Sequence, residues 1–135
     1  MMVLIDTSVW IDFFLSKSSN HVNKLDTLIN EEYDICICGI VLTEVLQGIK
    51  HESEYQKTKE FFKDLIFLPM HYSTYLKSAE IYRNIRKKGI TIRRVLDCLI
   101  ASVAVENNVL ILHNDKDFLQ IAKHSKLKIL SSKIA

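Results

Sequence analysis

Five short apolar runs, Val3-Leu4-Ile5, Ile35 to Cys38, Ile66-Phe67-Leu68, Val109 to Leu112 and Leu127 to Leu130, recur along the chain. Most are apolar at every position, as strands of a parallel sheet covered on both faces must be. Between them, apolar residues at i, i+3, i+4 spacing predict helices over Val9 to Leu15, Val22 to Ile29, Ile40 to Ile49, Tyr55 to Leu65, Tyr75 to Ile85, Val95 to Val105 and Phe118 to Ala122. Strand and helix therefore alternate, the order of an open, doubly wound α/β sandwich with right-handed crossovers. Three glycines and one proline are too few to turn an all-β chain of 135 residues.

Nearly half the residues are apolar and a quarter are charged. That balance supports a single domain over residues 1–135 with its own core, without internal repeats or a linker. No apolar run approaches the roughly 20 residues of a membrane span, so no membrane association is expected. The apolar start reaches Asp6 without a basic leader, and a cytoplasmic location is expected. Three cysteines cannot all pair, and they form neither a C-x-x-C pair nor a zinc knuckle, so buried free thiols are expected.

In doubly wound folds ligands sit at the carboxyl ends of strands, so residues there carry the most information. Asp6 follows the first run, in Ile5-Asp6-Thr7-Ser8, and Asp115 follows the fourth, in His113-Asn114-Asp115-Lys116-Asp117. Each also suits a helix cap, with Asp117 able to share or exchange that role with Asp115. Asp97 lies in the first turn of a helix, where its charge also complements the helix dipole. Glu44 shares a helix face with Ile40 and Val41, so a cation, an arginine or a hydrogen-bond network should meet it. Thr7 and Ser8 are candidate hydroxyl donors to Asp6.

Asp6, Glu44, Asp97 and Asp115 are all compatible with one end of one sheet. Four carboxylates that close could not all remain ionised without a counter-charge. A donor set of oxygens alone points to a hard ion, Mg²⁺ or Mn²⁺, rather than Zn²⁺. Such ions suit in-line hydrolysis of phosphodiesters.

At these residues the sequence resembles the PIN-domain nucleases, and specifically the VapC toxins of toxin–antitoxin pairs. The matching pieces are Ile5-Asp6-Thr7-Ser8-Val9-Trp10-Ile11-Asp12, Thr43-Glu44-Val45-Leu46-Gln47-Gly48, Gly89 to Ile92 leading to Asp97-Cys98-Leu99-Ile100-Ala101, and Asn114-Asp115-Lys116-Asp117-Phe118. The resemblance implies a three-layer sandwich with a mostly parallel central sheet flanked by helices. It also implies a metal-dependent endoribonuclease toxin in which Asp6, Glu44, Asp97 and Asp115 hold Mg²⁺ or Mn²⁺, Asp117 being a cap or a water-mediated ligand. A homodimer, an RNA substrate and inhibition by a cognate antitoxin protein are implied as well. The family pattern has Thr where this chain has His113, which is expected to pack or hydrogen-bond beside the site.

Every arginine of the chain lies between Arg83 and Arg94, together with Lys87 and Lys88 and without one acid, while the rest of the chain is net acidic. Arg86, Lys87, Lys88, Arg93 and Arg94 are therefore expected to contact RNA phosphates, which guanidinium forks bind bidentately. A receiver domain would need an acidic pair after the first strand, and a haloacid-dehalogenase-type phosphatase would need D-x-D where this chain has Asp6-Thr7-Ser8. The remaining alternatives are a DNA-directed metal nuclease and a non-catalytic RNA- or protein-binding module on the same fold.

Overall fold

A computed structural model describes residues 1–130. The chain threads its alternating elements in the order β1 (Met2–Ile5), α1 (Thr7–Phe14), α2 (Asn20–Asn30), β2 (Asp34–Cys38), α3 (Gly39–Gln47), α4 (Glu52–Lys63), β3 (Ile66–Leu68), α5 (Tyr72–Lys87), α6 (Val95–Asn107), β4 (Leu110–Leu112) and α7 (Lys116–Lys123). The four strands form one parallel sheet in the order β3-β2-β1-β4. Helices cover this sheet, giving the expected α/β sandwich. The chain moves from β1 to β2 in one direction and returns to add β4 on the other side of β1, so strand order reverses between β1 and β4. All four carboxyl ends point to one edge.

The fifth apolar run contributes less than a full strand. Ile129 forms a single parallel bridge to Ile111, with the Ile111 N–H donating to the Lys128 carbonyl and the Leu130 N–H donating to the Ile111 carbonyl. The third run also departs from the double-covered expectation: Ile66 and Phe67 of edge strand β3 are exposed, and only Leu68 is buried. Apolar composition cannot distinguish an edge strand from a central one. The helices start earlier than apolar spacing predicts, at Thr7 rather than Val9 and at Lys116 rather than Phe118. Their first turns are polar because the caps sit there.

The core is continuous from β1, whose Val3, Leu4 and Ile5 are fully buried, to α6, which buries Cys98, Ile100, Ala101, Val103 and Ala104. α6 is apolar around much of its circumference because it packs against α3, α5, α7 and β4 together. Trp10 anchors α1 against α4, with its ring centroid 5.0 Å from Phe62, 5.8 Å from Phe14 and Phe61 and 5.9 Å from Phe13. Cys36, Cys38 and Cys98 are free and buried, as expected. Burial pushes the Cys36 and Cys98 thiols up to about 11, which leaves them unreactive.

Gly89 ends the turn after α5 at φ +77°, and no atom would crowd a Cβ added there. Gly89→Ala therefore isolates the backbone cost of the left-handed conformation. It should lower unfolding free energy by about 1 kcal/mol in a urea titration. An unchanged midpoint would show that this turn relaxes at no cost.

Candidate metal centre

The acids meet at the edge where strand order reverses. Asp6 directly follows β1 and is held against β4 by its own N–H, which donates to the Leu112 carbonyl at 2.9 Å. It caps α1, accepting from the Ser8 N–H at 3.1 Å and the Ser8 hydroxyl at 2.6 Å through Oδ2. Its other oxygen, Oδ1, is buried without a partner. Asp97, in the first turn of α6, is fully buried with neither oxygen hydrogen-bonded. Asp115 caps α7 by accepting the Asp117 N–H at 3.0 Å.

Of the two roles the family pattern allows Asp117, the cap is taken by Asp115 instead. Asp115 is the cap, whereas Asp117 is 6% exposed and turned inward, with Oδ2 accepting the backbone N–H groups of Arg93 at 3.1 Å and Arg94 at 3.2 Å. One oxygen each from Asp97, Asp115 and Asp117 lies within 4.8 Å of the others. Asp6 and Glu44 stand outside that tight group. The α1, α6 and α7 N-termini converge here, and their partial positive charge favours anions at this edge.

Glu44, on α3, receives the arginine that its place beside buried Val41 and Val45 demands. Arg94 Nη2 pairs with Glu44 Oε2, while the Thr7 hydroxyl donates to Glu44 Oε1 at 2.7 Å. Thr7 therefore serves Glu44, and Ser8 alone of the two side chains serves Asp6. Arg94 Nη1 also stands 3.9 Å from Asp97 Oδ1. Arg93 lies further out, pairing with Asp115 at 3.2 Å and Asp117 at 3.7 Å.

The basic segment consequently divides in two. Arg93 and Arg94 enter the acidic cluster, whereas Arg86, Lys87 and Lys88 are exposed at the end of α5 and form no ion pair with those acids. Arg86 lies over the Tyr82 ring, 5.7 Å from its centroid, and Lys87 and Lys88 line a cavity of about 450 Å³ with Asn84 and His124. His113 sits beside the site as expected, its Nδ1 accepting the Asp115 N–H at 3.1 Å and its ring packed on Phe118. Burial holds its pKa below the ordinary imidazole value, against the pull of Asp115.

A polar chain behind Asp6 has no counterpart in the sequence patterns. The Asn114 N–H donates to the Ser8 hydroxyl at 3.1 Å, and Asn114 Nδ2 donates to Asp12 Oδ2 at 3.2 Å. Asp12 also meets His21 Nε2 at 2.7 Å and Lys17 Nζ at 3.4 Å. This network ties α1, the start of α2 and the loop after β4 together. Asp12 and Asn114 lie in recognisable motifs, but nothing near His21 in sequence announces its contact.

Like charges buried together raise one another's proton affinity. The Asp97 carboxyl is pushed up to about 7, first by burial and then by Asp6, with Arg94 opposing. Burial likewise raises Asp6, against the two hydrogen bonds from Ser8. Burial disfavours the Arg94 cation, but the charges of Asp97, Glu44 and Asp6 outweigh it and raise its pKa. The donors are all carboxylate oxygens, three of them buried and unpartnered, and the nearby imidazole is already engaged. Such a set fits a hard divalent cation. An apolar cavity of about 530 Å³ between Phe13, Phe14, Ile29, Ile49 and Phe61 includes none of these acids.

A parallel α/β sandwich with an oxygen-only acidic cluster at its strand-reversal edge is the arrangement of a domain built to hold a divalent cation at its strand ends. Residues 3–124 match the PIN domain, and the chain belongs to that family. It is 32% identical over 132 residues to VapC ribonuclease Mb1587 of Mycobacterium bovis, covering 96% of this chain and 98% of that protein. Its fold is similar to that of VapBC2 from Rickettsia felis bound to a DNA fragment from their promoter, at TM-score 0.75 and 22% identity, covering 96% of this chain and 98% of the other. A toxin–antitoxin complex from Klebsiella pneumoniae matches at TM-score 0.70 and 18% identity, covering 97% and 98% of the two chains. None of the described helices is long and apolar enough to cross a membrane.

Proposed function

We propose that this protein is a metal-dependent endoribonuclease, the toxin of a toxin–antitoxin pair, acting in the cytoplasm on a structured RNA. The observation that carries this reading is the group formed by Asp97, Asp115 and Asp117 beside the unpartnered Asp6 Oδ1. Asp6, Asp97, Asp115 and Asp117 would hold Mg²⁺ or Mn²⁺, with Glu44 as a further ligand. When bound, such an ion neutralises phosphate charge and lowers the pKa of a water that attacks in line. The chain's own groups prepare the site. Ser8 fixes the Asp6 carboxylate, Thr7 fixes Glu44, and His113 fixes the backbone that carries Asp115.

Arg93, 69% exposed along its side chain, stands at the mouth where a phosphate would arrive. Arg86, Lys87 and Lys88 extend the positive surface, and binding through them is expected to weaken steeply with salt. The name of the Mycobacterium bovis relative supports RNA as the substrate. The complex from Klebsiella pneumoniae supports an antitoxin partner, and the resemblance to VapC toxins supports a homodimer. Sequencing of 5′-monophosphate RNA ends after brief induction in cells tests the activity and identifies the target. A small set of new ends with 5′-phosphate and 3′-hydroxyl chemistry is expected, reproduced by purified protein with Mg²⁺ or Mn²⁺ and erased by chelator. Absence of cleavage under both conditions would favour a binding module on the same fold.

A further inference from the structure

Glu44 has both oxygens engaged, one by the Thr7 hydroxyl and the other by Arg94. The same guanidinium is the nearest positive group to Asp97, whose two oxygens have no hydrogen-bond partner. Among the described residues, no other cationic side chain lies within ion-pairing distance of Glu44 or Asp97. Arg93, the neighbouring arginine, is committed to Asp115 and Asp117. Glu44 therefore stands apart from the tight carboxylate group while tied to an arginine from the loop before α6.

We infer that Arg94 is a built-in counter-ion that competes with the divalent cation for Glu44 and Asp97, so that metal binding and release of Arg94 are one coupled event. This inference rests on the metal-centre reading above. A guanidinium and a divalent ion drawn to the same two carboxylates repel each other, and the ion carries the greater charge density. Movement of Arg94 is confined to its side chain, because its N–H and that of Arg93 both donate to Asp117 Oδ2. The side chain is 38% exposed, so an outward path to solvent exists. Glu44 stays oriented after Arg94 leaves because Thr7 still holds Oε1. Released, the guanidinium lies at the mouth beside Arg93, placed to meet a phosphate. The site thus admits Glu44 to the ion and a second arginine to the substrate in the same step.

Calorimetric titration with Mn²⁺ of the purified wild type, Arg94→Gln and Arg86→Gln tests this without reading activity. Arg94→Gln is expected to bind Mn²⁺ about tenfold more tightly than wild type or better. Arg86→Gln, which removes the same charge from the exposed end of α5, is expected to bind as wild type does. Equal or weaker affinity in Arg94→Gln, with wild type binding normally, would overturn the competition and leave the metal centre standing. Failure of the wild type to bind Mn²⁺ would overturn both. Should Arg94→Gln not fold, side-chain ¹⁵N spectra of the wild type during Mg²⁺ titration decide the matter. The Arg94 Nε–H resonance should move on the same curve as metal binding, and an unmoved resonance would refute the exchange.

Discussion

Asp97→Asn is expected to abolish RNA cleavage while making the metal-free protein more stable at neutral pH. Loss of activity should reach at least about 100-fold, the upper end of what losing even an outer partner of a metal ligand costs. The stability gain follows from proton linkage. In the unfolded chain the Asp97 carboxyl titrates near its ordinary value of 3.8, whereas burial and Asp6 hold it protonated in the fold up to about 7. Between those values the folded state holds the extra proton. Raising the pH across that window therefore shifts the equilibrium toward unfolding, by up to about 4 kcal/mol for a shift of this size.

Urea unfolding of the chelated protein from pH 4 to pH 8 measures the effect. Wild type should lose stability as pH rises, and Asp97→Asn should remove most of the slope. Asp6, also raised by burial, should leave a smaller slope of the same sign. The lowered pKa of Asp12, due first to His21, acts in the opposite direction and mostly below pH 4. A flat wild-type profile, or an Asp97→Asn variant that is less stable than wild type at pH 7, would show that the buried carboxylate is not strained by its surroundings.

Trp10→Ala should be the most damaging of the core substitutions, costing about 3–5 kcal/mol. Its indole is fully buried and touches Phe13 and Phe14 on its own helix and Phe61 and Phe62 on α4. Four aromatic walls cannot collapse into the space it leaves, so the cavity term is paid almost in full. A domain of this size has roughly 5–15 kcal/mol of total stability, so the variant should be partly unfolded at 37 °C. Trp10→Phe should cost much less, because the indole N–H makes no hydrogen bond that would be lost. Equilibrium unfolding of the two variants separates these cases. A loss of under about 1 kcal/mol in Trp10→Ala would mean that the cluster repacks.

The sheet was legible because its strands are short apolar runs and its helices repeat at 3.6 residues, both local patterns. What escaped was relational. Phe67 reads as a buried strand residue, yet β3 is an edge, and edge position depends on which strands come to lie beside it. Apolar periodicity misses the helix starts at Thr7 and Lys116, which are legible only through Asp6 and Asp115 as caps. Around the acids, Glu44 signalled its need for a partner through its apolar neighbours, but the partner lies fifty residues away in sequence. Asp115 and Asp117 are chemically alike and two positions apart, so only the helix direction decides which caps and which turns inward. The Asp12–His21 contact depends on how α1 meets α2, which no spacing encodes.

The central place of β1 has a consequence for the order in which the chain acquires its chemistry. Asp6 is made before the other acids, but the hydrogen bond from Asn114 to Ser8 behind it spans 106 residues. Loop closure of that length makes β1–β4 pairing a late, slow contact in folding. A nascent chain on the ribosome can build β1, β2 and β3 side by side while β4 and α7 are still unmade. Until residues 110–117 have been translated, Asp97 lacks Asp115 and Asp117, and no complete acidic group exists.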